Sequence, residues 1–126
     1  MSVTSDSSLA SNVLLLFDND LREQQRELAR AIDRGQKEIR ALAHSGSGDL
    51  VDDSRDNASK EAIFASYSKN RTQLRKVELA LERISRGEFG ICAACGDTIG
   101  LKRLQAVSWA TNCIACQEQS EQGRVQ

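Results

Sequence analysis

The chain has 126 residues, the size of one domain or of a small domain with a long appendage. Only 4% of residues are aromatic and proline is absent, which excludes a thick globular core and favours long helices that each bury a narrow stripe. The net charge of −1 gives no bulk attraction to nucleic acid, and the longest apolar run, Val13 to Phe17, is too short for a membrane span or an export signal, so the cytoplasm is the expected compartment.

Residues 1–8 read as a flexible lead-in. From Leu14 an apolar stripe follows helical spacing through Phe17, Leu21, Leu28, Ile32, Ile39 and Leu42. Gly35 takes the vacant place in that pattern, where it lowers helix propensity but permits close helix approach. The helix then ends at His44-Ser-Gly-Ser-Gly48, a breaker cluster. After the acidic stretch DLVDDSRD a second stripe runs Ile63, Tyr67, Asn70, Leu74, Val77, Leu81 and Ile84, alternating steps of four and three in a strict heptad. Asn70 puts a polar group on that seam, a device that fixes pairing. Gly87 ends the helix. Two helices of about 30 residues, each about 45 Å long, joined by a short polar turn predict an antiparallel coiled-coil hairpin over 9–86, with an acidic tip at 45–58. A coiled coil can also pair between chains; the intramolecular hairpin predicts a monomer.

Beyond Gly87 the composition changes to a small cysteine-anchored unit over 87–122, with a final helix from about Asn112 and a frayed tail at 123–126. Cys92 and Cys95 form one C-x₂-C pair, Cys113 and Cys116 another, with seventeen residues between them. That spacing suits one structural Zn²⁺ held as a tetrathiolate. Two intervening residues let a tight knuckle aim both sulfurs at one ion. Gly96 permits a left-handed turn that brings amides toward the thiolates. The second pair is expected to open a helix, whose amino-terminal partial charge favours thiolate. Lys102 and Arg103 lie between the pairs, where they can offset the cluster's formal charge of about −2. Iron in the same cage, a redox pair and disulfides are the competing readings. A thioredoxin-like pair needs a βαβ setting that is missing, and a reducing compartment disfavours disulfides. His44 reads as a solvated residue at a helix end, and Phe89 with Trp109 as the small core of the finger. No nucleophile–base pair or open metal position suggests an enzyme.

A heptad hairpin ending in RISRGEFGICAACGDTIGLKRLQA, then CIAC, resembles the DksA/TraR family of bacterial RNA-polymerase regulators over roughly residues 12–120. The most specific parts are Gly87 to Gly96, Ile99-Gly100, Arg103-Leu104 and Cys113 to Cys116. The resemblance implies a zinc-finger base and a coiled coil that enters the polymerase secondary channel, modulating initiation without sequence-specific DNA contacts. It also implies a tip motif D-x-x-D-x-A close to the catalytic Mg²⁺. Asp49, Asp52 and Ser54 have the family's distance from Cys92, with serine where alanine is usual. Asp53, Asp56 and Ala58 match the letters but lie four residues nearer the finger. Reach along a helix depends on residue count, which favours Asp49 and Asp52. The founding members bind the alarmone guanosine tetraphosphate through basic residues. The matching positions here hold Val107 and Gln117, which cannot neutralise phosphate, although Lys76 matches a further basic position. Alarmone dependence is therefore not expected. The other classes are a zinc-dependent DNA-binding protein, which needs a basic stripe that the nearly neutral final helix lacks, and a thiol-based redox or metal sensor.

Overall fold

The computed structural model describes the backbone of residues 10–45 and 53–125 and the side chains of 10–43 and 57–122. The chain is all-α, an antiparallel helical hairpin with a small four-cysteine finger. Helix α1 runs Ser11–Ser45, α2 Asp53–Arg86, α3 Leu101–Ala106 and α4 Ile114–Val125. An isolated bridge joins Ile91 and Thr98. The lead-in 1–8, Asp49 and Asp52 lie outside the described residues.

Three boundaries differ from the sequence expectation. The second half of the acidic stretch is already helix, because α2 starts at Asp53 rather than after Asp56. Carboxylates in a first turn face the positive end of the helix dipole, so Asp53 and Asp56 suit that place. Helix α3 was not anticipated, since six residues carry no readable period. Helix α4 continues to Val125, past the glycine at which fraying was expected.

The chain forms two compact units, 1–23 with 76–126, and 24–75. In the second unit the predicted stripes face each other. Ala31, Gly35 and Glu38 of α1 border the same groove as Ala62, Ile63, Tyr67 and Asn70 of α2. Gly35 is buried against the Tyr67 ring, as close approach requires. The seam residues Leu28, Ile32, Ile39, Ile63 and Leu74 are only half-buried, because two helices alone leave both flanks of a seam open to water.

In the first unit the seam gains a further layer. Leu21 and Val77 are fully buried and Ala80 nearly so. The Phe17 ring of α1 meets Phe89 at 5.4 Å between centroids, tilted by 51°. Phe89, Ile99, Leu104 and Ala110 make the buried centre of the finger, while Trp109 is half-buried at its edge. Phe89 is thus core as expected and meets the Phe17 ring, while Leu104 of α3 joins the buried centre.

Helix α2 ends in a Schellman turn. Gly87, at φ +74°, donates its N–H to Ile84 O at 3.1 Å, and Glu88 donates to Arg83 O at 2.8 Å. The Arg83 Nη2 donates to the carbonyls of Glu88 and Ile91, tying the start of the finger to the last turn of α2. No helix of the described residues is long and apolar enough to cross a membrane.

Candidate metal centre

The first cysteine pair sits on a knuckle closed by short backbone bonds. Cys92 donates its N–H to Asp97 O at 2.7 Å, Gly96 donates to Cys92 O at 3.0 Å, and Ile99 donates to Gly90 O at 2.8 Å. Gly96 has φ +83°, the left-handed conformation that the turn was expected to need. The second pair opens a helix, also as expected: Cys113 precedes α4, Cys116 lies in its first turn, and Gln117 donates its N–H to Cys113 O at 2.9 Å. A single bond from Ala93 N–H to Thr111 O, 2.8 Å, holds the knuckles side by side.

This brings the four sulfurs of Cys92, Cys95, Cys113 and Cys116 within 4.8 Å of one another. Zn–S bonds of about 2.3 Å in a tetrahedron require sulfur–sulfur edges of about 3.8 Å. The Cys95 and Cys113 sulfurs are 3.9 Å apart. The donor set therefore fits one Zn²⁺, and four thiolates leave no open coordination position. The site is structural.

Local electrostatics make the sulfurs unequal. Burial opposes ionisation of Cys92, but the backbone amides of Cys113, Cys95 and Ala94, with the Cys95 thiol, overcome it and lower its pKa to about 6. At Cys95 the Asp97 amide favours thiolate, yet the Cys92 sulfur and desolvation outweigh it and the pKa rises. Cys113, then Cys95 and Cys92, push Cys116 up to about 12, since charge shared among neighbouring sulfurs resists another. A divalent cation reverses that repulsion.

Two further residues act on the site. Arg103, expected to offset the cluster's charge, donates from Nε to the Asn112 carbonyl at 2.9 Å, fixing the backbone beside Cys113. Lys102 is exposed. Asn112 was missed from sequence, where a lone asparagine in a polar loop carries no signal. Its side-chain Oδ1 lies 3.9 Å from the Cys92 sulfur and accepts from the thiol. A zinc-bound thiolate only accepts hydrogen bonds, so the NH₂ end of that amide is the one suited to it. Ser54, Asp53 and Asp56 fall in the first turn of α2, where side chains lie outside the described residues, and Ala58 is exposed.

The prokaryotic dksA/traR C4-type zinc-finger family matches residues 87–122. The RNA polymerase-binding transcription factor DksA of Haemophilus influenzae is 34% identical over 73 residues, 55% of this chain and 50% of that protein. The structure of transcription factor DksA2 from Pseudomonas aeruginosa superposes with a TM-score of 0.77 at 28% identity, covering 92% of this chain and 88% of that one. Residues 87–122 form a finger of the dksA/traR C4 type, and the chain shares the fold of DksA2. A second DksA/TraR-like structure, the RNA polymerase binding protein and transcriptional regulator Dks from Chlamydia trachomatis, shares the fold with a TM-score of 0.56 at 24% identity, over 94% of this chain and 98% of that one. The match spans about half the length of the Haemophilus relative.

Proposed function

We propose that this chain is a transcription regulator that binds RNA polymerase directly and modulates initiation by placing its hairpin end in the secondary channel. The observation that carries the reading is the combination of a closed four-cysteine site and a helical pair that follows a DksA2 structure over 92% of the chain. The finger serves as a zinc-stabilised base, because about 36 residues cannot fold by burial alone. Activity rests on acidic groups at the hairpin end, for which Asp49 and Asp52, followed by Ser54, are the favoured set and Asp53, Asp56 and Ala58 the alternative. It acts in the cytoplasm as a monomer, without catalysing a reaction and without sequence-specific DNA contacts. Val107 and Gln117, both half-buried and uncharged, make the action independent of the alarmone. Retention of the zinc-loaded chain by purified core polymerase tests this directly. Absence of retention at low salt sinks it.

A further inference from the structure

Arg83 is buried at a cost. Its side chain is only 18% exposed, and its Nε is dry with no acceptor among the described residues. A buried donor without a partner opposes folding, so a plain positive charge would be better served here by lysine. What lysine lacks is the planar fork. The Nη2 end of that fork donates to the Glu88 carbonyl at 3.1 Å and to the Ile91 carbonyl, while Nη1 lies 3.9 Å from the Glu88 carboxylate.

The two carbonyls are the ends of one turn. Ile91 donates its N–H back to Glu88 O at 3.2 Å. Between them lie Phe89, buried in the centre of the finger, and Gly90, whose carbonyl accepts from Ile99 N–H at 2.8 Å. Cys92, one of the four clustered sulfurs, is the next residue. On the helix side, Glu88 donates its N–H to the Arg83 carbonyl at 2.8 Å, so residue 83 is bonded to residue 88 through both its backbone and its side chain. Arg86 makes no such link, because its guanidinium pairs with Glu82 inside the helix at 2.6 Å. Through Arg83 the last turn of α2 and the first cysteine knuckle share one set of hydrogen bonds.

We propose that Arg83 is a positioning residue that couples metal occupancy of the four-cysteine site to the C-terminal turn of α2. With the Cys92 sulfur held, the Glu88–Ile91 turn keeps its shape and its carbonyls stay on the guanidinium, which in turn holds the Schellman turn at Gly87 and Glu88. With that sulfur released, the turn has no fixed end, Arg83 loses both carbonyls and the end of α2 frays. Coupling of this kind is reciprocal, so loosening α2 at Arg83 weakens the metal site by the same factor. The proposal needs the zinc site and not polymerase binding.

The test is hydrogen exchange of the full chain, zinc-loaded and after chelation. In the wild type, zinc should slow amide exchange at Gly87 and Glu88 about tenfold or more, within the usual range of coupling between sites. Arg83→Lys keeps charge and helix propensity but not the fork. It should load zinc with about tenfold lower affinity. Zinc should still protect its Cys92 and Gly96 amides, which bond within the knuckle, but no longer Gly87 and Glu88. Arg86→Lys should change none of this, nor should Glu88→Gln, because the bond runs to the Glu88 carbonyl. The Arg83 Nε–H, sealed from water, gives a readout that needs no variant: its exchange should be slow with zinc and fast after chelation. If Arg83→Lys fails to load zinc, that measurement decides. Wild-type zinc affinity in Arg83→Lys overturns the proposal. So does Nε–H exchange that chelation leaves unchanged, or a loss of Gly87 and Glu88 protection in Arg83→Lys that is equal with and without zinc, the mark of a plain helix cap.

Discussion

A Cβ added at Gly35 lands 2.9 Å from Cδ1 of Tyr67, so α1 and α2 meet here at a separation that only glycine allows. At an exposed helix position alanine would gain about 1 kcal/mol over glycine. Here the ring must move, and Gly35→Ala should destabilise by about 1–2 kcal/mol in urea unfolding. In a Tyr67→Ala background the sign should reverse and the propensity gain reappear. Stabilisation by Gly35→Ala with Tyr67 present would show that the ring yields freely.

Burial differs along the seam, and stability should follow it. Leu21 is fully buried under the finger layer, whereas Leu74 is half-buried. Leu21→Ala should cost about 2–5 kcal/mol. Leu74→Ala, with part of its surface already in water, should cost about 1–2 kcal/mol. Equal losses in denaturant titrations would contradict the layered packing.

Zinc loading should be steeply pH-dependent. At neutral pH Cys92, lowered to about 6, is largely thiolate, while Cys95, raised, and Cys116, at about 12, carry protons. Zinc must displace those protons, so affinity rises with pH and falls on acidification. At least two protons should be released per zinc at neutral pH, and one more below about pH 6, where Cys92 protonates as well. Proton release in weakly buffered zinc titrations measures this. Release of one proton or none would be incompatible with the environments of Cys95 and Cys116.

Asn112 should tune the metal without ligating it. Asn112→Ala removes the amide beside the Cys92 sulfur and should lower zinc affinity about tenfold, within the range of other outer-sphere partners. Asn112→Asp sets a carboxylate against a thiolate and should lower it further, about 100-fold. Competition with a chromogenic chelator reads both. Wild-type affinity in the aspartate variant would remove Asn112 from the site.

The tip carries the functional prediction. Asp49→Asn with Asp52→Asn keeps size and removes two charges, so polymerase retention should persist while the effect on transcription is lost. Stability should change by less than about 0.5 kcal/mol, as for other solvated charges. Asp53→Asn with Asp56→Asn should matter less for transcription, although it removes first-turn carboxylates from α2 and should weaken that helix end by about 0.3–1 kcal/mol each. If only the second pair abolishes activity, the register is Asp53 and Asp56. If neither does, the acidic end is a solvated turn.

Local signals sufficed for a large part of the molecule. The stripe from Leu14 to Leu42 and the heptad from Ile63 to Ile84 specify two helices and the faces they bury, because helical periodicity is written in successive residues. The cysteine spacing specifies the metal ligands, and Gly87 and Gly96 the turns that deliver them, because each depends on a few adjacent dihedrals. Tertiary structure decided what depends on distant residues meeting. Phe17 and Phe89 are 72 positions apart and stack only because α1 returns to the finger. Arg83 finds the carbonyls of Glu88 and Ile91, and Asn112 reaches Cys92, through the folded path of the loop. Arg30, Arg34 and Arg40 are exposed because α1 turns them away from a seam that α2 has closed, and burial of one helix face determines which charges the other presents to water.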